Sequence, residues 1–391
     1  MDSSIYLKPV SIPDYKSDGN MQRRRLGDII KTHTSIDGVP SLDGARLAIV
    51  GINESRNSFS NLLCRDTADI VRKHLYALFS FSNNIQLIDI GDIQLGESVD
   101  DTYFAVQMVI AELLDNKITP IIIGGSQDLT FANYLAYEKQ GKIINLATID
   151  SSFDLGTSEE AFDSKSYISK IILHQPNYLF NFTNIGYQSY FVDYEAINLM
   201  RKLFFDTYRL GFVRSNMEEA EPLVRNADIV SFDLTSIRQS DAPGTTGPTP
   251  NGFYGEEACQ ICRYAGMSDK VSSIGFYELC PEMDINEQTA HLTAEMIWYF
   301  IEGFYNRKGD HPHKNKADYM KYIVQIDNHV DEIVFYKSQK SGRWWMEVPF
   351  TKPEHAKYQR HFMVPCSYRD YENASKRDIP DRWWQVFQKL M

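Results

Sequence analysis

The stretch SFDLTSIRQSDAPGTTGPTPNG, residues 231–252, carries more information about the architecture of this chain than any other segment. Asp233 follows a short apolar run and precedes a long loop rich in glycine and proline. Proline and glycine fix the turns of such a loop, so Pro243 and Gly244 are assigned to shaping it. The loop has neither the spacing nor the lysine of a P-loop, and it is therefore not predicted to hold a phosphate group.

Short apolar runs alternate with amphipathic stretches on both sides of this loop. The runs are Arg46–Ile52, Ile85–Ile90, Ile118–Ile123, Ile143–Ile149, Leu179–Gly186, Thr207–Val213, Asp228–Asp233 and Val271–Leu279. Within residues 101–116, Val106, Val109 and Leu113 mark one face of a helix. The alternation predicts an α/β fold, a three-layer α/β/α sandwich around an eight-stranded, mostly parallel sheet. Sites in such sheets lie at the carboxyl ends of the strands.

The regularity of this pattern divides the chain into three parts. Residues 1–44 are polar with little periodicity, which predicts an irregular arm, and residues 45–305 are predicted to form the α/β core. After a charged linker, residues 306–391 are predicted to form an extension, a small β-meander followed by a helix at Pro380–Leu390. The meander strands are predicted at Tyr322–Ile326, Glu332–Lys337 and Arg343–Val348, with turns at Asp327–Asp331 and Ser338–Gly342.

The composition indicates which cellular compartment and which classes of partner to expect. The net charge of −12 disfavours nucleic acid as a partner, although the part from Asn306 onward is basic, with 16 Lys and Arg against 11 Asp and Glu. No run approaches the roughly 18 apolar residues of a membrane span, and the N-terminus has no apolar signal segment. We therefore expect a cytoplasmic protein whose five cysteines are reduced. Cys259 and Cys262 form a CxxC in a helical stretch, where packing is favoured over metal binding.

Three further loops place polar side chains at predicted strand ends. They are IIIGGSQD (residues 121–128), ATIDSSFDL (147–155) and YELCPEMD (277–284), which contain Gln127, Asp150, Asp154 and Glu278. With Asp233, these carboxylates would meet at one edge of the sheet. Because like charges a few Å apart cannot all stay ionised, such a cluster needs a cation or shared protons.

The order and spacing of these four loops resemble the arginase/agmatinase/formimidoylglutamase superfamily of ureohydrolases. That family shows a GG(D/G)H loop, then DAHxD, then SxDxDxxDPxxxPGTGTPxPGG, then ExxP. The resemblance covers Ala45–Tyr305, and the loop DAPGTTGPTPNG is its most specific match. The stretch VGINESRNSFSNLLCRDTADIVRKHLYAL, residues 50–78, is in addition similar to formimidoylglutamases. The resemblance implies an arginase-like sandwich with a metal site at the strand ends.

The resemblance also implies which residues would hold the metals, and three of the family's ligands are missing. The GG(D/G)H histidine falls on Gln127, the DAHxD histidine on Ser152 and the second SxDxD aspartate on Thr235. One metal position would thus consist of Gln127, Asp150, Asp154 and Asp233, whereas the other keeps only its bridging aspartates. Glu278 matches the glutamate that contacts the guanidinium group in arginases, and Tyr167 lies near a further site position.

These losses predict that a two-manganese site is disabled, because both cations are needed to lower the pKa of a bridging water. Three carboxylates and an amide oxygen would still accept one hard cation, such as Mg²⁺, Ca²⁺ or a single Mn²⁺. The other reading is a metal-free site in which the carboxylates share protons or pair with hydroxyls and basic side chains. The metal-free reading is favoured, so no cofactor is expected.

Three functions follow from these readings. The first is a catalytically inactive ureohydrolase homologue that acts as a binding or scaffold protein. The alternative is an active amidino or formimino hydrolase of the arginase or formimidoylglutamase type that uses a single cation, with Asp154 and Glu278 in the catalytic site. The third is a sensor that binds a guanidino-type small molecule through Glu278 without turnover.

The extension offers a second candidate surface. Four of the five tryptophans lie in it, namely Trp344, Trp345, Trp383 and Trp384. Tryptophan on a basic surface fits a contact with a protein partner or a neighbouring subunit of a homo-oligomer. The other reading is that these side chains pack the extension onto the core. Alternation along a strand would place Trp344 and Trp345 on opposite faces, so one of them could serve each purpose.

Overall fold

The computed structural model describes residues 3–11, 24–60, 66–82, 84–156, 162–312, 316–326, 332–349 and 353–390. The predicted turn at Asp327–Asp331 lies outside the described residues. Among the helices in the described ranges, none combines the length and the apolar character needed to cross a bilayer.

A ten-stranded sheet forms the centre of the molecule. Its strands are β1 (Leu7–Lys8), β2 (Lys31–Thr32), β3 (Leu47–Ile52), β4 (Leu87–Ile93), β5 (Thr119–Gly124), β6 (Ile144–Ile149), β7 (Leu179–Tyr187), β8 (Asp206–Arg209), β9 (Ile229–Asp233) and β10 (Ser273–Tyr277). They follow the order β1-β4-β3-β5-β10-β9-β6-β7-β8, with β2 also on β4. All pairings are parallel except that of β1 with β4. The predicted mostly parallel α/β sheet is confirmed.

Helices cover both faces of this sheet. They are α1 (Thr67–Ala77), α2 (Val99–Asp115), α3 (Leu129–Lys139), α4 (Tyr167–Leu173), α5 (Tyr194–Lys202), α6 (Leu210–Ser215), α7 (Ala220–Arg225), α8 (Gly255–Gly266) and α9 (Gln288–Tyr305). Strand β5 shows why the layers form: Ile121 and Ile123 pack into the core beneath α1, α8 and α9, whereas Ile122 packs towards α2 and α3. Successive side chains of a strand point to opposite faces, so an all-apolar strand needs cover on both.

Two sequence-based expectations for the sheet need correction. The N-terminal arm is not irregular throughout, because β1 and β2 pair with β4 and extend that side of the sheet. The predicted strand Thr207–Val213 ends early, since only Asp206–Arg209 pairs with β7 and the chain turns into α6 at Leu210. A short edge strand has one neighbour only, and its apolar pattern by itself does not reveal where pairing stops.

A separate antiparallel sheet forms in the extension. Its strands β11 (Tyr319–Gln325), β12 (Glu332–Ser338), β13 (Trp344–Glu347) and β14 (Met363–Cys366) pair in chain order. The three-stranded meander is thus confirmed, and β14 is a fourth strand that the sequence reading missed. Two helices follow, α10 (Tyr368–Ser375), also missed, and α11 (Asp381–Leu390), which matches the predicted terminal helix.

Three of the four tryptophans in the extension are buried. Trp344 and Trp345 point to opposite faces of β13, as expected, and each enters a different apolar cluster. Trp383 is 1% exposed, stacks on Phe387 and donates from its indole nitrogen to the Glu347 carbonyl at 2.9 Å. Trp384 is 39% exposed. The partner contact through these tryptophans stays a prediction, and Trp384 is the member of the set best placed for it.

Buried ion pairs and hydrogen bonds join the extension to the core. Arg225 of α7 donates to the Trp344 carbonyl at 3.1 Å. Arg382 of α11 contacts Glu219 at 2.7 Å. Because these charged groups are largely buried, removing one partner would leave an uncompensated charge. The extension is therefore packed on the core along the side that carries α7.

We expect Trp383→Ala to lower the free energy of unfolding by about 3–5 kcal/mol, because it removes a fully buried ring and leaves a cavity. The neighbouring Trp384→Ala is the matched control and should cost less than about 1 kcal/mol, as an exposed position does. Urea denaturation followed by circular dichroism measures both. Equal losses for the two variants would contradict the packing described for α11.

Candidate active site

Four adjacent strands deliver the predicted site residues to one edge of the sheet. The order β5-β10-β9-β6 places the carboxyl ends of these strands side by side. Asp233 is the last residue of β9, Asp150 follows β6, and Glu278 follows β10. The loop after β5 contributes Gln127. The topology therefore brings together residues that are far apart in the sequence, as the strand-end rule predicts.

The carboxylates of Asp150, Asp154 and Asp233 form one buried cluster. One oxygen from each lies within 4.8 Å of the others, and the residues are 1%, 5% and 0% exposed. Burial raises the pKa of Asp150 well above its ordinary value, and the nearby Asp154 raises it further. Burial likewise raises the pKa of Asp233. The cluster therefore resists holding three negative charges without compensation.

Two positions at which the resemblance predicts a missing metal ligand supply hydrogen-bond donors to this cluster. Ser152 donates from its backbone nitrogen to Asp150 at 2.9 Å and from its hydroxyl to Asp154 at 2.6 Å. The backbone nitrogen of Thr235 donates to Asp233 at 2.7 Å. Hydrogen bonds from neutral donors stabilise carboxylates, although each contributes less than a cation.

Gln127 is also placed as a donor. Its amide is fully satisfied when the nitrogen faces Asp150 and Asp154, each at 3.1 Å, and the oxygen accepts from Ser231 and Tyr167. In this orientation the amide oxygen is directed away from the carboxylates. The oxygen-ligand role expected for Gln127 would require the opposite orientation, in which the amide nitrogen donates to Ser231 at 3.2 Å and no longer reaches Asp150 and Asp154. Tyr167, at the start of α4, belongs to the site through this bond.

Lys165 is the residue that the sequence reading missed. Its ammonium nitrogen lies 3.2 Å from Asp154 Oδ1 and 3.4 Å from Asp233 Oδ2. Burial by itself would lower the pKa of Lys165, but the surrounding carboxylates raise it well above the ordinary value. No motif marks this lysine, because it lies in an irregular loop before α4. The only signal was the requirement for a positive charge near three carboxylates.

Glu278 forms the opposite wall of the site. Its backbone has a positive φ of 69°, and its carboxylate accepts from the Gln127 backbone nitrogen at 2.8 Å and the Thr246 hydroxyl at 2.5 Å. Burial, followed by the charge of Asp233, raises the pKa of Glu278 to about 7. A positive φ is strained for a glutamate and is tolerated where the surroundings fix it, as at ligand sites.

A cavity of about 560 Å³ opens onto these side chains. Asp154, Lys165, Thr246 and Glu278 line its polar end. Apolar groups provide most of the remaining surface, among them the side chains of Phe59, Phe153, Leu155, Phe191 and Val192. A larger cavity of about 660 Å³ lies between α8 and α9 but contains none of the predicted site residues. We assign the site to the smaller cavity, because a mostly apolar pocket with a few converging polar groups is the usual form of a binding site.

The side chains present do not fit a pair of manganese ions. Of the described residues that line the cavity none is a histidine. The groups at the lost ligand positions donate hydrogen bonds to the carboxylates. Neutral hydroxyls bind Mn²⁺ weakly, and imidazole is the donor that favours transition metals. The three aspartates would by themselves suit a single hard cation.

The model of the Arginase family matches residues 46–302, and the chain belongs to that family. Among curated relatives it is similar to the formimidoylglutamase of Staphylococcus haemolyticus, with 24% identity over 259 residues, which are 63% of this chain and 81% of that protein. The formimidoylglutamase of Staphylococcus aureus strain JH9 is 24% identical over 247 residues, 61% of this chain and 79% of the relative. The sequence resemblance to this superfamily is confirmed.

Solved structures show the same fold. The formiminoglutamase of Trypanosoma cruzi with Mn²⁺ superposes with a TM-score of 0.64 at 19% identity, over 73% of this chain and 100% of that one. The formimidoylglutamase of Bacillus subtilis gives 0.65 at 17% identity, over 76% and 96% of the two chains. The agmatine ureohydrolase of Thermoplasma volcanium gives 0.58 at 20% identity, over 72% and 95%. The arginase-type sandwich is thereby confirmed.

Proposed function

We propose that this protein binds a small molecule carrying a guanidino or formimino group in the cavity beneath Glu278, and that it does so without two-manganese hydrolysis. The observation that carries the proposal is the charge of the cavity. Among the described residues that line it, three carboxyl groups, those of Asp154, Asp193 and Glu278, stand against one ammonium group, that of Lys165. The excess of negative charge favours a cationic ligand, and planar amidinium or guanidinium groups match carboxylates through paired N–H donors.

The position of Glu278 supports this ligand class. Its carboxylate is fixed at both oxygens, by Gln127 and Thr246. A ligand cation beside it would favour the charged form of Glu278, whose pKa of about 7 otherwise leaves it partly protonated near neutrality. The apolar walls, including Phe59 and Phe191, would cover the carbon chain of the ligand.

Hydrolysis with a single cation is the second candidate. It is supported by membership of the Arginase family, by similarity to formimidoylglutamases and by the close approach of Asp150, Asp154 and Asp233. In this candidate one divalent ion would displace Lys165 and sit among the three carboxylates, while Glu278 would hold the substrate. The family relationship favours hydrolysis, whereas the donors around the carboxylates favour binding without it.

Ligand binding is tested by thermal denaturation with arginine, agmatine or formimidoylglutamate, in the presence of a chelator. A ligand at 100 times its Kd stabilises the folded state by about 2.7 kcal/mol, which should raise Tm by several °C. Glu278→Gln should abolish the shift. Glu282→Gln, which changes an exposed carboxylate on the same loop, should retain it.

Turnover is tested by assaying urea, ammonia and formamide release with the same compounds plus Mn²⁺, Mg²⁺ or Ca²⁺. A thermal shift without product supports binding without hydrolysis. Product formation that depends on a divalent ion and is lost in Asp233→Ala supports the second candidate. If no compound shifts Tm and none is turned over, the assigned ligand class is wrong.

A further inference from the structure

Lys165 lies where the carboxylates of the site converge. Its ammonium nitrogen is within 3.5 Å of oxygens from Asp154 and Asp233, and about a third of its side chain, 34%, is exposed. Asp150 adds a third nearby charge. A lysine ammonium is a compact point charge with three donors, so among carboxylate oxygens it resembles a small hard cation more than a guanidinium group would.

Polar groups of three further residues face the cluster as donors. They are the Gln127 amide nitrogen, the Ser152 hydroxyl and backbone nitrogen, and the Thr235 backbone nitrogen. A divalent ion needs acceptor oxygens pointing inward. To admit one, the site would have to move Lys165 out and turn the Gln127 amide, whose nitrogen would then no longer donate to Asp150 and Asp154.

We propose that Lys165 is the permanent counter-cation of this cluster and occupies the place that a divalent metal ion would otherwise take among Asp150, Asp154 and Asp233. The chain thus carries the positive charge that stabilises the three carboxylates. The resulting site is closed to metal and remains folded without it. The change from a metal-held to a lysine-held cluster then has two parts. One is the loss of histidine at the Gln127 and Ser152 positions, and the other is the presence of Lys165.

This inference deepens the proposed function, since a lysine-held cluster explains binding without two-metal hydrolysis. The two can nevertheless fail separately. The inference concerns the cation that the three aspartates hold, and it is tested by measuring bound metal. The proposed function concerns an organic ligand at Glu278, and it is tested by the change in Tm that the ligand causes in the presence of a chelator.

The experiment compares the wild-type protein with Lys165→Met, which keeps the length of the side chain and removes its charge. Both are purified without metal and titrated with Mn²⁺ while free ion is followed by electron paramagnetic resonance. Lys165→Met is expected to bind about one Mn²⁺ per chain, and wild type at least about 100-fold more weakly, because breaking a buried ion pair is this unfavourable. The exposed Lys202 provides the control, Lys202→Met, which should behave as wild type.

Charge pairing is tested independently by Lys165→Met combined with Asp154→Asn. Without metal, this double variant should melt at a higher temperature than Lys165→Met, because one of the uncompensated carboxylates has been removed. If the single variant does not fold, recovery of folded protein in the double variant gives the same answer.

Three results would overturn the inference. The first is a wild-type protein that binds Mn²⁺ as tightly as Lys165→Met. The second is a folded Lys165→Met protein that binds no Mn²⁺. The third is a double variant no more stable than the single one.

Discussion

Replacing Arg72 by methionine is expected to lower the free energy of unfolding by about 3–5 kcal/mol. The Arg72 side chain is completely buried in α1 and contacts Asp89 at 2.8 Å and Asp92 at 2.5 Å, both in β4. These two carboxylates are 0% and 3% exposed. Removing the guanidinium would leave Asp89 without its cation, and Asp92 with only the half-exposed Lys8 at 3.9 Å, inside the protein, where charged groups are poorly solvated. Urea denaturation at neutral pH measures the loss.

The matched control keeps Arg72 and changes its outermost partner. Asp69 lies 3.2 Å from Arg72, and its side chain is 18% exposed. In Asp69→Asn the arginine retains both buried partners, so we expect a loss below about 1 kcal/mol, as for partly solvated ion pairs. If Asp69→Asn were as destabilising as Arg72→Met, the loss would not come from the buried carboxylates.

The second large effect is a pH-dependent gain of stability in Glu278→Gln. The pKa of Glu278 is raised from 4.5 to about 7 in the folded state, first by burial and then by Asp233. A raised pKa means that the folded protein binds this proton more tightly than the unfolded chain does. The corresponding stability is fully present below about pH 4.5 and is lost as the pH rises to about 7. Between these two pH values the free energy of unfolding falls by about 3 kcal/mol, at about 1.4 kcal/mol per pH unit.

We therefore expect the difference in free energy of unfolding between Glu278→Gln and wild type to depend on pH. This difference should favour the variant by about 2–3 kcal/mol more at pH 8 than at pH 5. Glutamine can still accept from the Gln127 backbone nitrogen, so the variant changes charge more than geometry. Urea denaturation at the two pH values measures this difference. Glu282→Gln is the control, because it removes an exposed carboxylate from the same loop and should show no comparable dependence. A difference between Glu278→Gln and wild type that is the same at both pH values would contradict the burial of an ionisable Glu278.

Buried charge has opposite effects on stability around Arg72 and around Glu278. Around Arg72, a guanidinium balances the carboxylates and supports the packing of α1 on the sheet. Around Glu278, carboxyl groups exceed the one ammonium available, and the excess makes the folded state less stable at neutral pH. Such local instability is the usual consequence of arranging a binding site, where groups are held for a ligand and not for folding.

Much of the fold was predictable because the core strands are short, apolar and separated by strong turn residues. The central strands β5 and β9 are buried on both faces, so their sequences are nearly continuous apolar runs. The edges were less predictable. β1, β2 and β14 are two to four residues long, and they are strands only because a neighbour pairs with them. No local pattern of so few residues distinguishes a strand from a loop.

The acidic part of the site was predictable for a different reason. Asp150, Asp233 and Glu278 each follow an apolar run directly, and parallel strands align their carboxyl ends. The donors to these carboxylates were less visible. Gln127 was expected to offer an oxygen, whereas the carboxylates of Asp150 and Asp154, which accept hydrogen bonds, favour the orientation in which its nitrogen faces the cluster.

By itself, the sequence of residues 231–252 established the superfamily and the position of Asp233 at a strand end, because proline, glycine and aspartate impose local geometry that spacing reveals. The family's motif positions also predicted, at Gln127, Ser152 and Thr235, that three metal ligands are missing, since identity at a motif position is local information. The tertiary structure decided which groups surround the carboxylates of the site. Lys165 comes from an irregular loop, and the carboxylates that it contacts are those of Asp154, in the loop after β6, and Asp233, at the end of β9. Electrostatic compensation acts through space between distant parts of the chain, and only folding brings those charges together.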